Sequence, residues 1–389
     1  FFLLPSRRGR RMKYCKLAII YFCRTVLKVF WIVPVKKNRI FLSADRGSGI
    51  RCNPLYIFKY MQKEYSGEFE YIWEYDGEYD AADTRCVKPK SLTGIYYQLT
   101  SKVLISNDGF GSFLPKRKQQ IFINTWHGGG AYKKSGVDFV TDQHPVDLKI
   151  NKICGQRTDI FISGCEKFSE VMSTAKMVPR ERFLECGMPR NDILIRGADY
   201  DVTEKVKKFF GVDKDVKLVL FAPTYRGEEN EASFHSQLDV SKCVNALKNR
   251  FGGRWVMLMR KHHFVKDVKI QNCIDASGYP DMQELLYACD AFITDYSSAI
   301  WDFSLTYKPG FLFVPDLDEY QKERSFYTDP MTWAFPLALS NDELCERIKQ
   351  FDEAKNELKI DEHHELLGNK ETGRACEIIA EKIYKLTLQ

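Results

Sequence analysis

Short polar clusters follow apolar runs at several points of this 389-residue chain, and their residue types define the chemistry on offer. The first, after Ile121-Phe122-Ile123, reads Asn124-Thr125-Trp126-His127-Gly128-Gly129-Gly130-Ala131-Tyr132-Lys133-Lys134. A histidine at the carboxyl end of a strand faces a crevice, and imidazole is the side chain best matched to removing a hydroxyl proton near neutrality. The glycines permit close backbone approach, while Lys133 and Lys134 attract an anionic substrate. The competing interpretation of His127 is a ring simply bonded to backbone in a tight turn.

A second cluster, Phe221-Ala222-Pro223-Thr224-Tyr225-Arg226, presents a hydroxyl, an aromatic ring and a guanidinium that can grip phosphate or a base. The third, Met259-Arg260-Lys261-His262-His263, concentrates hydrogen-bond donors and calls for anionic company, although one of the adjacent histidines must point away from any ligand. Either could instead be a solvated surface loop. The fourth is Phe292-Ile293-Thr294-Asp295-Tyr296-Ser297-Ser298-Ala299-Ile300-Trp301-Asp302. Ser297 or Ser298 is expected to start a helix there, where free N–H groups and hydroxyls would form a diphosphate cradle; a plain N-cap is the bland alternative.

Familiar signatures are missing. The sequence has no GxxxxGK[ST], no GxGxxG and no GxSxG, and His363-His364-Glu365 is not followed by the second histidine of HExxH. P-loop, dinucleotide, lipase and metalloprotease readings therefore fall.

These clusters must be positioned by the elements around them. With 44% hydrophobic and 14% aromatic residues the chain is neither disordered nor fibrous, and its length suits about two domains. A net charge of +6 is mild for this size and does not imply duplex-DNA binding. The 12 cysteines are irregularly spaced with no CxxC, which favours reduced thiols in a cytosolic compartment.

Apolar runs bounded by turn residues alternate with helix-compatible stretches, the rhythm of parallel sheets with crossover helices. Strands are expected at 39–43, 71–74, 103–106, 121–125, 160–163 and 183–186, then at 218–222, 255–259, 273–275, 291–294 and 310–314. The charged stretch 191–208 separates the two sets. Two successive α/β sheets with polar strand ends predict a ligand in the cleft between domains. Residues 36–195 and 196–389 are the expected domains, and residues 1–35 a leader with an amphipathic helix.

In that leader, Phe1 to Arg11 is basic and set aside from the fold. From Met12 to Val35 the longest uninterrupted apolar run, Leu17–Cys23, falls far short of the roughly 20 residues that span a bilayer. On a helical wheel Lys13, Lys16, Arg24 and Lys28 share one arc, opposite Ile19, Phe22, Val26, Val29 and Phe30. This pattern suits an interfacial helix on anionic lipid, a helix packed on its own domain being the alternative.

Taken together, the clusters resemble the CDP-glycerol glycerophosphotransferases of teichoic acid and capsule-polymer synthesis, a family of polymerases and primases. The resemblance rests on Thr125-Trp126-His127-Gly128 with following lysines, Gly187-Met188-Pro189-Arg190-Asn191-Asp192, Ala222-Pro223-Thr224-Tyr225-Arg226, Arg260-Lys261-His262 and Thr294-Asp295-Tyr296-Ser297-Ser298 through Asp302-Phe303. Downstream, Asp316-Leu317-Asp318-Glu319-Tyr320 and Ser325-Phe326-Tyr327 fit the same pattern.

The resemblance implies a GT-B-like α/β fold: two Rossmann-type domains, acceptor-side then donor-side, facing a central cleft. It implies transfer of a polyol phosphate from a CDP-polyol to a hydroxyl of a lipid-linked saccharide or polyol-phosphate acceptor, releasing CMP. His127 would be the base and His262 a second catalytic group, with Arg260, neutralising the diphosphate. Thr294, Asp295, Ser297, Ser298, Thr224, Gly128, Lys133 and, more weakly, Arg226 would bind substrate.

No cofactor or resident metal is implied, Asp316 and Asp318 reading as ligands to protein groups; nor is nucleic acid. The expected location is the cytoplasmic face of the cell membrane, peripherally attached. One departure stands out: the family's usual Thr-Pro-Leu after the histidine-glycine pair is replaced by Gly129-Gly130-Ala131-Tyr132. This loop is expected to meet acceptor or polyol, leaving glycerol or ribitol phosphate open. Rival functions are a nucleotide-sugar glycosyltransferase of the same fold and a non-catalytic lipid- or polymer-binding module.

Overall fold

Strands buried on both faces need near-continuous apolar sequence, and the chain supplies it in two sets. The computed structural model describes residues 7–139, 144–224, 237–261, 271–323 and 325–388. In the first set are β1 (Lys36–Ser43), β2 (Glu70–Glu74), β3 (Thr84–Val87), β4 (Ser101–Ser106), β5 (Ile121–Asn124), β6 (Ile160–Ser163) and β7 (Phe183–Glu185). They form a parallel sheet in the order β3-β2-β1-β4-β5-β6-β7. Phe41 stands between Ile72 and Leu104, and Leu104 beside Phe122, so one apolar layer crosses four strands.

The second set is β8 (Lys217–Phe221), β9 (Trp255–Met259), β10 (Ile274–Asp275), β11 (Ala291–Thr294), β12 (Gly310–Phe313) and β13 (Leu337–Ala338). These too are parallel, ordered β10-β9-β8-β11-β12-β13. In each sheet the order reverses once, beside β1 and β4 in the first and beside β8 and β11 in the second. Loops at the carboxyl ends of such strand pairs diverge and leave room for a ligand. Helices are started by side-chain caps: Ser91, Asp201, Asp239, Asp281, Ser340 and Asp352 each accept a backbone N–H of the first turn.

The chain divides into two units, residues 1–127, 135–190 and 374–389 in one, and 128–134 and 191–373 in the other. This departs from a single boundary near 195. The helix Ala375–Leu388 returns to the first unit because Tyr384 stacks on Tyr65 at 4.8 Å and the Cys376 thiol donates to the Pro189 carbonyl at 3.4 Å.

At the amino terminus a helix over Arg7–Val26 continues as a 3₁₀ turn, Leu27–Ile32. It is anchored to the first unit by Ile20, which is buried, by Lys13 on Asp147 at 2.5 Å, and by Arg24 on the Ser112 carbonyl at 3.2 Å. Ile19, Phe22, Val26, Val29 and Ile32 remain exposed, whereas Phe30 turns inward against Tyr96. Among the described residues no helix is long and apolar enough to cross a membrane.

Candidate active site

In the first unit, β5 ends at Asn124 and the chain enters a turn that only external support can hold. Trp126 has φ of +50°, a left-handed conformation costing a non-glycine residue about 1–2 kcal/mol. Asn53, fully buried near the start of the helix Cys52–Glu64, supplies that support: its Nδ2 donates to the carbonyls of Thr125 (3.0 Å) and Trp126 (2.9 Å). Its Oδ1 accepts the Arg190 N–H at 3.0 Å, tying in the Gly187–Asp192 motif. Thr125 N–H is fixed to the Ser106 carbonyl at 2.8 Å.

His127 follows, stacked on Trp126 at 4.3 Å, its Nδ1 3.0 Å from the Asn107 carbonyl. A carbonyl only accepts, so Nδ1 carries the proton and Nε2 has the free lone pair. Asn107 is itself held, accepting the Asp45 N–H and donating to the Asp45 carboxylate, each at 2.8 Å. The residue stays exposed, yet the depth of protein around it desolvates the imidazolium and lowers its pKa below the ordinary value. Arg190 adds to that lowering; the Asn107 bond, Asp108 and Asp45 oppose it. The result is a neutral imidazole with an available nitrogen.

In the second unit, the β8 and β11 loops are stitched together. Asp295, 2% exposed, accepts from Thr224 N–H at 2.9 and 3.0 Å, Thr224 Oγ1 at 2.8 Å and Tyr296 N–H at 2.6 Å. Thr294 is wholly buried and donates its hydroxyl to the Ala222 carbonyl at 2.6 Å. Thr294, Asp295 and Thr224 are expected from the sequence to bind substrate; the hydrogen bonds they make here shape the loops, and Thr294 is wholly buried. Ser297 accepts the Ala299 N–H at 3.2 Å, whereas Ser298, the residue preceding the helix Ala299–Ser304, makes no side-chain cap. Both serines are half-buried.

The glycine run packs directly against this turn. A Cβ on Gly129 would lie 2.6 Å from Nε1 of the buried Trp301, and one on Gly128 2.8 Å from Ser298 Oγ, so a side chain at Gly129 would displace the indole and one at Gly128 would turn the Ser298 hydroxyl aside. Behind them is a buried polar net: Asn191 donates to Asp302 at 3.1 Å and Glu371 at 3.0 Å, and Gln283 to Asp302 at 2.9 Å. This net joins the Asn191 and Asp302 motifs, a link their sequence spacing did not disclose.

Ala131 and Tyr132, expected to meet substrate, are buried instead. Tyr132 packs on Trp333 at 4.2 Å, and its hydroxyl is 2.8 Å from His363 Nε2. Lys133 pairs with Phe326 in an antiparallel bridge, and Lys134 N–H donates to the Ser325 carbonyl at 2.9 Å. Asp316 accepts the Tyr296 hydroxyl at 3.1 Å, and Tyr296 stacks on Tyr320 at 3.9 Å. Arg260 donates to the carbonyls of Tyr279 (2.6 Å) and Ala276 (3.4 Å), while Lys261 pairs with Asp275 at 2.8 Å. His262, His263, Tyr225 and Arg226 lie outside the described residues.

Asn53, Asn107 and Asp45 hold the His127 turn without belonging to any of the polar clusters read from the sequence. Asn53 beside Pro54 near a helix start reads from sequence as an ordinary cap; nothing local signals that it reaches a loop more than seventy residues away.

These features define a class. The sequence profile of the CDP-glycerol:poly(glycerophosphate) glycerophosphotransferase family matches residues 25–385, and the chain belongs to that family. It is similar to a teichoic acid poly(glycerol phosphate) polymerase of Bacillus spizizenii, 26% identical over 391 residues, spanning 96% of this chain and 98% of the relative. The polymerase of the same name from Staphylococcus epidermidis is 28% identical over 378 residues, covering 90% of this chain, but the chain spans only 51% of that longer relative. Among solved structures, the wall teichoic acid polymerase TagF superposes with a TM-score of 0.82 at 25% identity over 99% of each chain.

Proposed function

We propose that the chain transfers glycerol phosphate from CDP-glycerol to a hydroxyl of a membrane-linked acceptor, releasing CMP, in teichoic acid or capsule-like polymer synthesis. The observation that carries this is the fixed tautomer of His127, whose free Nε2 is suited to take a proton from an alcohol. The acceptor oxygen attacks the phosphorus bearing glycerol. A new P–O bond forms, the P–O bond to the CMP phosphate breaks, and the alcohol proton passes to Nε2.

The negative charge growing on CMP must meet fixed donors. The half-buried hydroxyls of Ser297 and Ser298, the backbone beside Gly128, and the cations Arg260 and Lys133 support a donor-phosphate role for these loops. Thr224, Thr294 and Asp295 act by holding the loops in shape. His262 is assigned to the diphosphate, and Arg226 to a weaker contact, on the resemblance alone. Asp316, engaged by Tyr296, is assigned to the loop rather than to a resident metal.

The enzyme is proposed to work at the cytoplasmic face of the membrane, bound through its amino-terminal helix. Supporting this, Ile19, Phe22, Val29 and Ile32 are each more than half exposed, flanked by exposed Lys16 and Lys28. Replacing Ile19 and Phe22 by aspartate should abolish co-sedimentation with anionic vesicles; unchanged sedimentation would remove the assignment.

The function is tested by CMP release from CDP-glycerol, CDP-ribitol and UDP-sugars, each with lipid-linked acceptors. Acceptor-dependent CMP release from CDP-glycerol is expected. Turnover of a UDP-sugar alone would give the chain to the glycosyltransferases, and turnover of CDP-ribitol alone would change the polyol.

A further inference from the structure

Within the first unit, behind Trp126, lies a cavity of about 220 Å³ whose lining includes Arg157, Lys176, Asn124, Asn151, Asp108 and Trp126. Its cationic content is unusual. Arg157 is 8% exposed and donates from Nη1 to the Gly111 carbonyl at 3.1 Å, while Nε and Nη2 are buried with no hydrogen-bond partner among the described residues. Lys176 carries its ammonium over the Trp126 ring at 4.2 Å, and no carboxylate lies within ion-pair distance of it or of Arg157 among the described residues.

The backbone is shaped to bring these groups together. Lys176 ends the helix Glu166–Ala175, and Arg157 ends the helix Pro145–Arg157. The two termini approach so closely at Gly155 that a Cβ there would stand 2.3 Å from the Met177 carbonyl and 2.4 Å from that of Lys176. Desolvation pushes the Lys176 pKa down to about 8 and that of Arg157 to about 10, with Arg24 adding repulsion on Arg157. Asp108 opposes the shift at Lys176, but its carboxylate is already paired with Arg46. Buried guanidinium donors without acceptors cost free energy that a bound oxyanion would recover.

We propose that this cavity is a binding site for a compact phosphoryl oxyanion, held by Arg157 Nε and Nη2 and by the Lys176 ammonium, with the Asn124 and Asn151 amides beside them. It is separate from the donor-phosphate loops of the second unit and does not depend on the reaction proposed above. The same chemistry is offered by a free phosphate monoester and by the phosphodiester of a polyol-phosphate chain. The volume has room for a group of several non-hydrogen atoms.

Equilibrium dialysis of the full chain against radiolabelled inorganic phosphate, glycerol phosphate and a short glycerol-phosphate oligomer tests this. Saturable binding is expected, weakened at least tenfold by Lys176→Met and retained in Lys176→Arg. Arg157→Met should weaken it as well; because that change falls in the core, its thermal midpoint is measured alongside, and Lys176 decides the matter if the variant unfolds. Tighter binding of the monoesters identifies a free phosphate as the occupant, and tighter binding of the oligomer identifies the polymer. Absence of saturable binding by all three probes, or binding indifferent to Lys176→Met, overturns the site.

Discussion

His127 in the first unit and the His363–His364 pair in the second are all held below the ordinary imidazole pKa by loss of water, yet they are built for opposite ends. His363 and His364 are 7% and 6% exposed, and each commits Nε2 to a hydroxyl, of Tyr132 at 2.8 Å and Ser304 at 2.7 Å. His127 commits only Nδ1, to a carbonyl, and keeps an exposed surface. A lowered pKa alone therefore does not separate these rings; the uncommitted nitrogen on His127, the proposed base, does.

The largest effect should come from His127→Ala: CMP release falling about a hundred- to ten-thousandfold with little change in thermal midpoint. His363→Phe should do the reverse, and a comparable loss of turnover from it would break the contrast. With the neutral ring as the proposed base and its pKa lowered, wild-type turnover should persist through neutrality and fail on acidification below the ordinary imidazole range. If His262 is a protonated partner, a second limb should appear at higher pH and vanish in His262→Ala.

Next in size is acid destabilisation. His363 and His364 titrate at about 4 when folded, against 6.5 as the ordinary value. Their contribution is complete above the unfolded value and is lost as pH falls through the folded one, up to about 3 kcal/mol per ring. Urea midpoints across this range should drop in the wild type and flatten when both rings are replaced by apolar side chains.

Asn53→Ala sharpens the comparison from the other side. It removes three hydrogen bonds around the His127 turn and should cost about 2 kcal/mol of stability, with turnover reduced beyond what unfolding explains. Smallest is Tyr132→Phe, about 1 kcal/mol in urea with turnover nearly intact.

Much of the scaffold was readable because parallel strands buried on both faces announce themselves as apolar runs, as at Ile160–Ser163 and Trp255–Met259. Strand Thr84–Val87 is hidden in the sequence because only Val87 is buried, and Leu337–Ala338 is not among the expected strands. At the site, the chemistry-bearing loops were visible but their internal bonds were not. The sequence shows that Thr294 and Asp295 have polar atoms, whereas only the fold shows that Thr224, Tyr296 and Ala222 already engage them. Tyr132 misled for the same reason, a polar tip being equally at home in a core that offers His363.

The return of residues 374–389 to the first unit carries a consequence for biosynthesis. On the ribosome, the earlier half must wait for the final helix, with Tyr65 lacking the ring of Tyr384 until nearly all of the later half has emerged. A premature stop just before position 374 should therefore damage the part of the molecule translated first.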